Sequence, residues 1–353
     1  MHPTALLTTL LAFLLSLQVA SIFAIPTPHF KNGPVISTNF QDPSLIQVNE
    51  TWYAFAGANG NPPNINVQMA TSSDFSTWTV TQGYDALPTL ASWATNPGHV
   101  WSPDANQLPD GSFIIYYSAT TKLKPSQHCI GAAISETIAG PYTALNETIA
   151  CDHSKGGAID PDGFIDINSS DAAHYVVYKV DGNSIGHGGA CKNSRQPIVP
   201  TPIMLQRVSS SDGYTLIGDP VELLHNIPAD GPNIEAPALV FIPDSGLYFL
   251  FYNAGCFKLP RYRIEYATSK TLTGPYMRNP KPLLVTGDTP AHVQTPGGID
   301  FNANGNASRA IFQGDLNMAW FKETGVHHQK RDRGMYTASI MMSENNAQVI
   351  GLY

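Results

Sequence analysis

The stretch IEAPALVFIPDSGLYFLFYNA, residues 234–254, predicts a β-hairpin in which the turn PDSG joins two strands. An acid and a proline open the first strand, and the second strand is rich in aromatic residues. The same arrangement begins at four other places in the chain: QDPSLIQVNETWYAFAG at 41, WSPDANQLPDGSFIIYYSA at 101, IDPDGFIDINSSDAAHYVVYK at 159 and TPGGIDFNANGNASRAIFQGD at 295. The chain therefore contains five copies of one unit.

The copies recur with a nearly constant period. Their opening prolines lie about sixty residues apart, with one longer interval before the fourth, and are Pro43, Pro103, Pro161, Pro237 and Pro296. After each hairpin, a second pair of strands is predicted by VQMATSSDFSTWT, GAAISETIAGPYTAL, MLQRVSSSDGYTLIG, IEYATSKTLTGPYMR and MYTASIMMSENNAQVI. Five such units predict an all-β protein, a five-bladed β-propeller with four antiparallel strands per blade. A β-sandwich or a pair of sheet domains is the alternative, which the repeat disfavours.

Composition limits the partners of the protein. The 353 residues include 27 acidic and 19 basic side chains, for a net charge of −8, and 42% are hydrophobic. Without a basic stripe the chain is not expected to bind nucleic acid. We expect a monomer with a neutral polar ligand and no membrane partner after processing.

The beginning of the chain predicts a secreted, extracellular protein. Residues 6–24, LLTTLLAFLLSLQVASIFA, carry no charge and end in small residues, so residues 1–24 are predicted to be a signal peptide and 25–353 a single propeller domain. An uncleaved membrane anchor is the alternative, because no Lys or Arg precedes the apolar run. Four glycosylation sequons agree with secretion: Asn49, Asn146, Asn168 and Asn306. Four cysteines predict two disulfides, and we prefer the local pairing Cys129–Cys151, which leaves Cys191–Cys256.

The repeat predicts that three acids distant in sequence meet at the centre of the propeller. Asp42, Asp160 and Glu235 lie at or beside the same point of the innermost strand, where blades two and five carry Ser102 and Thr295. Three carboxylates in one funnel repel each other, so their pKa values must separate. Glu235 lies between apolar neighbours, and we expect it to be held protonated.

A pair of carboxyl groups with divided roles is what glycoside hydrolysis requires. Glu235 is suited to be the general acid and Asp42 to be the general base. Asp160 is then expected to modulate the pKa of Glu235 and to hold its orientation. Phe40 and Trp101 are predicted to stack on a sugar ring.

Other polar stretches receive structural assignments. Three aspartates next to proline or glycine are expected only to open turns or strands: Asp104, Asp110 and Asp162. The stretch HHQKRDR, residues 327–333, is expected to be a solvated loop.

These motifs resemble glycoside hydrolase family 43 over nearly all of the mature chain. DP at Asp42, IDP at Asp160 and EAP at Glu235 match the family motifs for the base, the pKa modulator and the acid. WSPD resembles the WAPD of the family, and YKVDGNSIG resembles a lysine-DGN segment found among its members. The resemblance implies an inverting glycosidase that cleaves arabinose or xylose linkages of plant cell-wall polysaccharide, of the α-L-arabinofuranosidase or β-xylosidase type.

The fifth blade departs from the family pattern. Gly298 stands where many members carry an axial histidine near a water or calcium ion, and Gln313 replaces a second histidine, so that Gln313 is a candidate substrate-binding residue. His292 is a candidate replacement for the axial histidine. The departure argues against an axial calcium, and no metal or cofactor is expected. It also favours the alternative of a sugar-binding propeller with weak or no activity. A retaining invertase-like fructosidase is a further alternative, but those relatives typically have NDPNG and EC motifs where this chain has QDPS and EAP.

Overall fold

Five β-sheets make up the regular structure of the described residues, which are 29–30, 33–302, 308–316 and 332–353 of a computed structural model. In each blade the four strands follow chain order, and consecutive strands are antiparallel. Blade one contains β2 (Ser44–Val48), β3 (Thr51–Ala56), β4 (Gln68–Ser72) and β5 (Thr79–Val80); blade two contains β6 (Trp101–Gln107), β7 (Phe113–Thr120), β8 (His128–Ser135) and β9 (Thr143–Ala150). Blade three contains β10 (Ala158–Asp166), β11 (Ala173–Val180), β12 (Ile203–Val208) and β13 (Leu216–Leu224); blade four contains β14 (Ile234–Ile242), β15 (Leu247–Ala254), β16 (Arg263–Ser269) and β17 (Met277–Arg278). Blade five contains β18 (Gly297–Phe301), β19 (Arg309–Asp315), β20 (Arg333–Ser343) and β21 (Asn346–Leu352), and β1 (His29–Phe30) adds to β21 in parallel.

The five-bladed propeller predicted from the repeat is confirmed. The first strand of each blade contacts the first strands of the two neighbouring blades, and the cycle closes where β18 contacts β2. The first strands therefore form the hub. The parallel strand β1 is an addition that the repeat did not predict.

A β-bulge interrupts the inner strands of blades two to five at the hub, and Asp42, just before β2, has the same backbone conformation. The bulge residues adopt positive φ angles of 44–57°, and the structurally equivalent ones are Asp42, Ser102, Asp160, Ala236 and Gly298. Proline follows four of them and Ile299 follows the fifth. The sequence alignment of blade five on Pro296 was therefore wrong by three residues, because that blade lacks the proline that marks the bulge elsewhere.

Side chains from the preceding blades hold these bulges in place. The N–H of Asp160 donates to Ser118, that of Ala236 to Asp160, and that of Gly298 to Asn253, over 2.9–3.0 Å. The N–H of Asp42 donates to Gln313 in the same way, which joins blade five to blade one. Left-handed backbone in non-glycine residues costs free energy, and the surrounding contacts must maintain it.

The core lies between the blades. Consecutive residues of a strand face opposite neighbours, as the two-residue period requires. Tyr117 packs with Phe55 of blade one, whereas Tyr116 packs with Val176 of blade three. Clusters of this kind fill all five interfaces, including that between blades five and one.

Two of the three aspartates expected in turns are in fact part of the hub. Asp104 and Asp162 lie inside β6 and β10 and are buried, because each follows the bulge by two residues and faces inward. Asp110 lies in an exposed turn, as expected, where its carboxylate accepts hydrogen bonds from Ser112.

The long interval between β11 and β12 forms a loop with two short 3-10 helices, Gly182–Ile185 and Ala190–Lys192. Both preferred disulfides are present: Cys129–Cys151 closes a loop within blade two, and Cys191–Cys256 ties the long loop to blade four. None of the helices formed by the described residues is long and apolar enough to span a bilayer. Three sequon asparagines are exposed, whereas Asn306, residues 1–24 and residues 327–331 lie outside the described residues.

Candidate active site

A cavity of about 320 Å³ at the hub contains all three acids that the repeat predicted to converge. Asp42, Asp160 and Glu235 line it together with residues from the long loop and from blades two to five. The aligned positions of the repeat thus meet in one place. Each carboxyl group has different hydrogen-bond partners and nearby charges, so the three groups can have different chemical roles.

Asp42 is held by the fifth blade. Its Oδ1 accepts a hydrogen bond of 2.6 Å from Gln313 Nε2, and Arg333 Nη1 lies 3.5 Å from the same oxygen. Burial raises the pKa of Asp42, while the Arg333 charge and the Gln313 hydrogen bond lower it. The arrangement orients the carboxylate and partly offsets the cost of burying it.

Asp160 bridges blades two, three and four. Its Oδ1 accepts from the Ser102 hydroxyl at 2.8 Å, and its Oδ2 accepts from the Ala236 N–H at 2.9 Å. Burial, followed by the nearby Glu235 carboxylate, raises the pKa of Asp160 to about 7, against the opposing effect of Lys179. Asp160 therefore sets the backbone of the residue that follows Glu235.

Glu235 receives hydrogen bonds on both carboxyl oxygens. Lys179 Nζ and Asn233 Nδ2 donate to Oε2 at 2.9 and 2.8 Å, and the Tyr262 hydroxyl donates to Oε1 at 2.8 Å. The sequence suggested apolar surroundings, but the side chain instead meets three polar donors. These three donors fix the position of the Glu235 carboxyl group in the cavity.

Lys179 is the buried cation of the site. Its side chain is fully buried, and its Nζ lies 2.9 Å from Glu235 and 3.2 Å from Asp181. Burial alone lowers the pKa of Lys179, but the Glu235, Asp181 and Asp160 carboxylates outweigh burial and raise it. Lys179 is therefore charged at all ordinary pH values.

Sequence reasoning missed three contributors to the site. Arg333 belongs to a stretch expected to be a solvated loop, yet it begins β20, stacks on the Phe257 ring at 4.7 Å and faces Asp42. The contacts of Lys179 and Tyr262 with Glu235 depend on how the strands pair, which the sequence does not show. For Lys179 the segment YKVDGNSIG was a usable signal, because it matched the family.

Two predicted sugar-binding residues lie elsewhere. Phe40 is completely buried in the core between blades five and one, where its N–H bonds to the Arg333 carbonyl. Gln313 is also buried and uses both ends of its amide on Asp42, so it positions that residue and does not face the cavity. Neither side chain lines the cavity, because proximity to the hub does not require exposure in the cavity.

Trp101 does line the cavity. Its ring stacks on His128, with ring centroids 3.7 Å apart. Burial lowers the pKa of His128 to about 4, so this imidazole is neutral in the physiological range. The stacked pair offers the cavity a flat, uncharged wall.

The hub does not fit the axial histidine of the family. Gly298 takes the bulge position of blade five with φ of +55°, and a Cβ built there would lie 3.2 Å from Gln313 Nε2. A side chain at this position would crowd the Gln313 amide that holds Asp42. The candidate replacement His292 is exposed and does not line the cavity. Neither Gly298 nor His292 therefore offers an imidazole to the cavity.

The comparison with known families agrees with the fold and the motifs. The model of the glycosyl hydrolases family 43 matches residues 31–312. The chain belongs to this family. Two curated relatives of the family 43 protein are an extracellular endo-α-(1→5)-L-arabinanase of Thermotoga petrophila, 27% identical over 265 residues, and the extracellular endo-α-(1→5)-L-arabinanase 2 of Bacillus subtilis, 26% identical over 283 residues. The matches cover 67% and 75% of this chain but 50% and 55% of the two relatives, so the chain spans about half their length.

A solved structure shares the fold of this family 43 member. The crystal structure of a thermostable family-43 glycoside hydrolase superimposes with a TM-score of 0.67 at 20% identity. The superposition covers 92% of this chain and 96% of the other. At this level of identity the likeness concerns the propeller alone.

Proposed function

We propose that this family 43 protein is a secreted glycoside hydrolase that cleaves arabinose-containing cell-wall polysaccharide with inversion. Family membership supports a glycosidase, and the names of the two relatives support an extracellular enzyme acting on arabinan. Xylose linkages are the second substrate class, from the family resemblance.

One observation carries the proposal: Asp42 and Glu235 line the same cavity but have separate supports. Asp42 is held by Gln313 and Arg333, and Glu235 by Lys179, Asn233 and Tyr262. Two carboxyl groups in one cavity with different partners can divide the roles of acid and base.

In the proposed reaction, Asp42 takes a proton from water while the water oxygen attacks the anomeric carbon. Glu235 gives its proton to the glycosidic oxygen, whose bond to that carbon breaks. Lys179 and Tyr262 stabilise the Glu235 carboxylate that results, and proton exchange with solvent restores both residues. Asp160 positions Glu235 through the Ala236 backbone and adds negative charge. Inversion places the two carboxyl groups about 6.5–9.5 Å apart, leaving room for the water.

The test uses debranched arabinan, arabinoxylan and xylo-oligosaccharides, with product anomers followed by NMR. Asp42→Asn and Glu235→Gln should each lower kcat/KM by about 10²–10⁴-fold, because each removes a proton-transfer step. Asp110→Asn, which changes an exposed turn carboxylate in the same way, should have no effect. Products that retain the substrate configuration, or full activity in Glu235→Gln, would refute the assignment.

A sugar-binding propeller without activity is the second candidate, and Gly298 in place of the axial histidine favours it. Calorimetry with arabino-oligosaccharides separates the two. Binding by wild type, with hydrolysis no higher than in Asp42→Asn on every substrate, would establish the binding protein.

A further inference from the structure

Two loops that the Cys191–Cys256 disulfide joins carry positive charge without any acidic residue. Residues 182–202 contain one Lys and one Arg, residues 255–262 also contain one of each, and neither segment contains Asp or Glu. The whole chain, in contrast, has a net charge of −8. The local charge of these loops is therefore opposite in sign to that of the protein, from which a neutral ligand was expected.

One lysine of each loop lies at the opening of the cavity that contains Glu235. Lys192 and Lys258 both line this cavity and are both exposed, so they lie where it meets solvent. We call this pair the rim lysines. A ligand that enters the cavity must pass beside them.

The rim lysines differ from the other two cations of the cavity, which have acidic partners. Lys179 lies 2.9 Å from Glu235, and Arg333 lies 3.5 Å from Asp42. Neither rim lysine forms an ion pair with any acidic residue in the part of the chain that the structure describes. Their charge is therefore available to a ligand.

The backbone that carries Lys192 is fixed in place. Cys191 and Lys192 have positive φ angles of 48° and 58°, a conformation that costs free energy in residues other than glycine and that surrounding contacts must maintain. The disulfide holds one side of this turn. On the other side, the fully buried Asn193 donates from Nδ2 to the carbonyls of Val199 and Pro232 at 2.9 and 2.7 Å. Lys192 is therefore presented to the cavity by a rigid loop.

Lys258 is positioned by the aromatic ring next to it. Its Nζ lies 5.5 Å from the centroid of the Phe257 ring, within the range of a cation–π contact. Phe257 also lines the cavity. The disulfide, whose two Cα atoms are 5.5 Å apart, joins the residue before Lys192 to the residue before Phe257. One covalent link thus brings both rim lysines to the same opening.

We propose that the rim lysines bind the carboxylate of a uronic acid unit that lies next to the linkage to be cleaved. The inference rests on the proposed function, because it describes the substrate of the same cavity. A uronic acid gives a sugar a negative charge at neutral pH, and a carboxylate accepts strong hydrogen bonds from ammonium groups. The acids deeper in the cavity would repel this carboxylate. The charged unit therefore stays at the opening, while a neutral sugar occupies the space beside Asp42 and Glu235.

The test compares oligosaccharides that differ only in the carboxyl group. One arm uses a xylo-oligosaccharide with a glucuronic acid branch, and the other uses an arabino-oligosaccharide that ends in galacturonic acid. Each is compared with its carboxyl-reduced form, in which CH₂OH replaces the carboxylate. Calorimetry on Asp42→Asn, which should not hydrolyse the ligands, gives the Kd of each. In one arm or both, the acidic form should bind about tenfold more tightly at low salt. This preference should shrink as salt is added, because exposed charges are screened.

The variants Lys192→Gln and Lys258→Gln remove one charge each. In the same Asp42→Asn protein, each should reduce the preference for the acidic form about threefold, and both together should bring it close to one. Lys155→Gln changes an exposed lysine that does not line the cavity and should keep the full preference. Because the preference is a ratio of two Kd values in one protein, a general loss of binding does not alter it.

Equal binding of the acidic and carboxyl-reduced forms in both arms overturns the proposal. A preference that the double lysine variant retains overturns it as well, and would mean that the rim lysines serve only the acids of the cavity. Hydrolysis by wild type is measured separately. An enzyme that cleaves neutral arabinan but shows no preference refutes this inference and keeps the proposed function. A protein that prefers the acidic ligand but hydrolyses nothing refutes the proposed function and keeps the carboxylate site.

Discussion

Lys179 is the residue on which the electrostatics of the cavity depend, because it is the fully buried cation between Glu235 and Asp181. Lys179→Met should lower the free energy of unfolding by about 3–5 kcal/mol, since it leaves buried carboxylates without their counter-charge. Chemical denaturation measures the change. In the control, Lys155→Met removes an exposed lysine 3.7 Å from Asp152 and should cost at most about 1 kcal/mol. Equal losses in the two variants would show that the buried lysine is not electrostatically special.

Gln313 is a positioning residue for Asp42, because its amide binds both the N–H and the carboxylate of that residue. Gln313→Leu keeps the volume but leaves the Asp42 N–H unpaired. We expect kcat to fall by up to about 100-fold through misplacement of the carboxylate, with KM little changed.

Gln348→Leu makes the same exchange at an exposed position on β21 and serves as the control for Gln313→Leu. Its kcat should equal that of wild type. A Gln313→Leu enzyme in which KM rises and kcat is kept would indicate that Gln313 contacts substrate instead.

Among the strands and loops, the sequence predicted the features that recur in every blade. The hairpins, their order and the convergence of Asp42, Asp160 and Glu235 followed from aligned prolines, because proline marks the bulge in four blades. Blade five has Ile299 at that point, so its register was misplaced. Contacts between strands, such as that of Tyr262 with Glu235, leave no mark in a single sequence.

The loop between β11 and β12 forms part of the cavity wall, and its disulfide can be tested for an effect on substrate binding. Cys191–Cys256 joins it to blade four, and Cys191, Lys192, Phe257 and Lys258 all line the cavity. Replacing both cysteines by serine should lower stability by about 2–4 kcal/mol and raise KM, because the cavity wall loosens. Steady-state kinetics on arabinan measures KM.

The other disulfide provides the comparison. Neither Cys129 nor Cys151 lines the cavity, so their replacement by serine should lower the unfolding midpoint but leave KM unchanged. If both double variants changed KM equally, the effect would come from general loosening and not from the cavity wall.

At the scale of the whole molecule, the propeller is a closed ring whose stability depends on the joint between blades five and one. Strand β18 contacts β2, and a buried cluster that includes Leu45, Ile311 and Met335 fills the joint. The N–H groups of Val35 and Ile36 add hydrogen bonds to the Met335 carbonyl. Opening this joint would expose two blade faces at once, so we expect one cooperative unfolding unit for the domain.

Met335→Ala tests this expectation. The side chain is fully buried, so its truncation should lower the free energy of unfolding by about 2–5 kcal/mol. The backbone hydrogen bonds at the joint do not depend on the side chain and should remain.

The control is Met277→Ala, at a position on β17 that is 71% exposed, and its free energy of unfolding should stay within about 0.5 kcal/mol of wild type. Because the ring has no free end once closed, calorimetry should show the entire transition of Met335→Ala at a lower temperature. A separate early transition, with the remaining blades unfolding at the wild-type midpoint, would mean that the blades do not unfold as one unit.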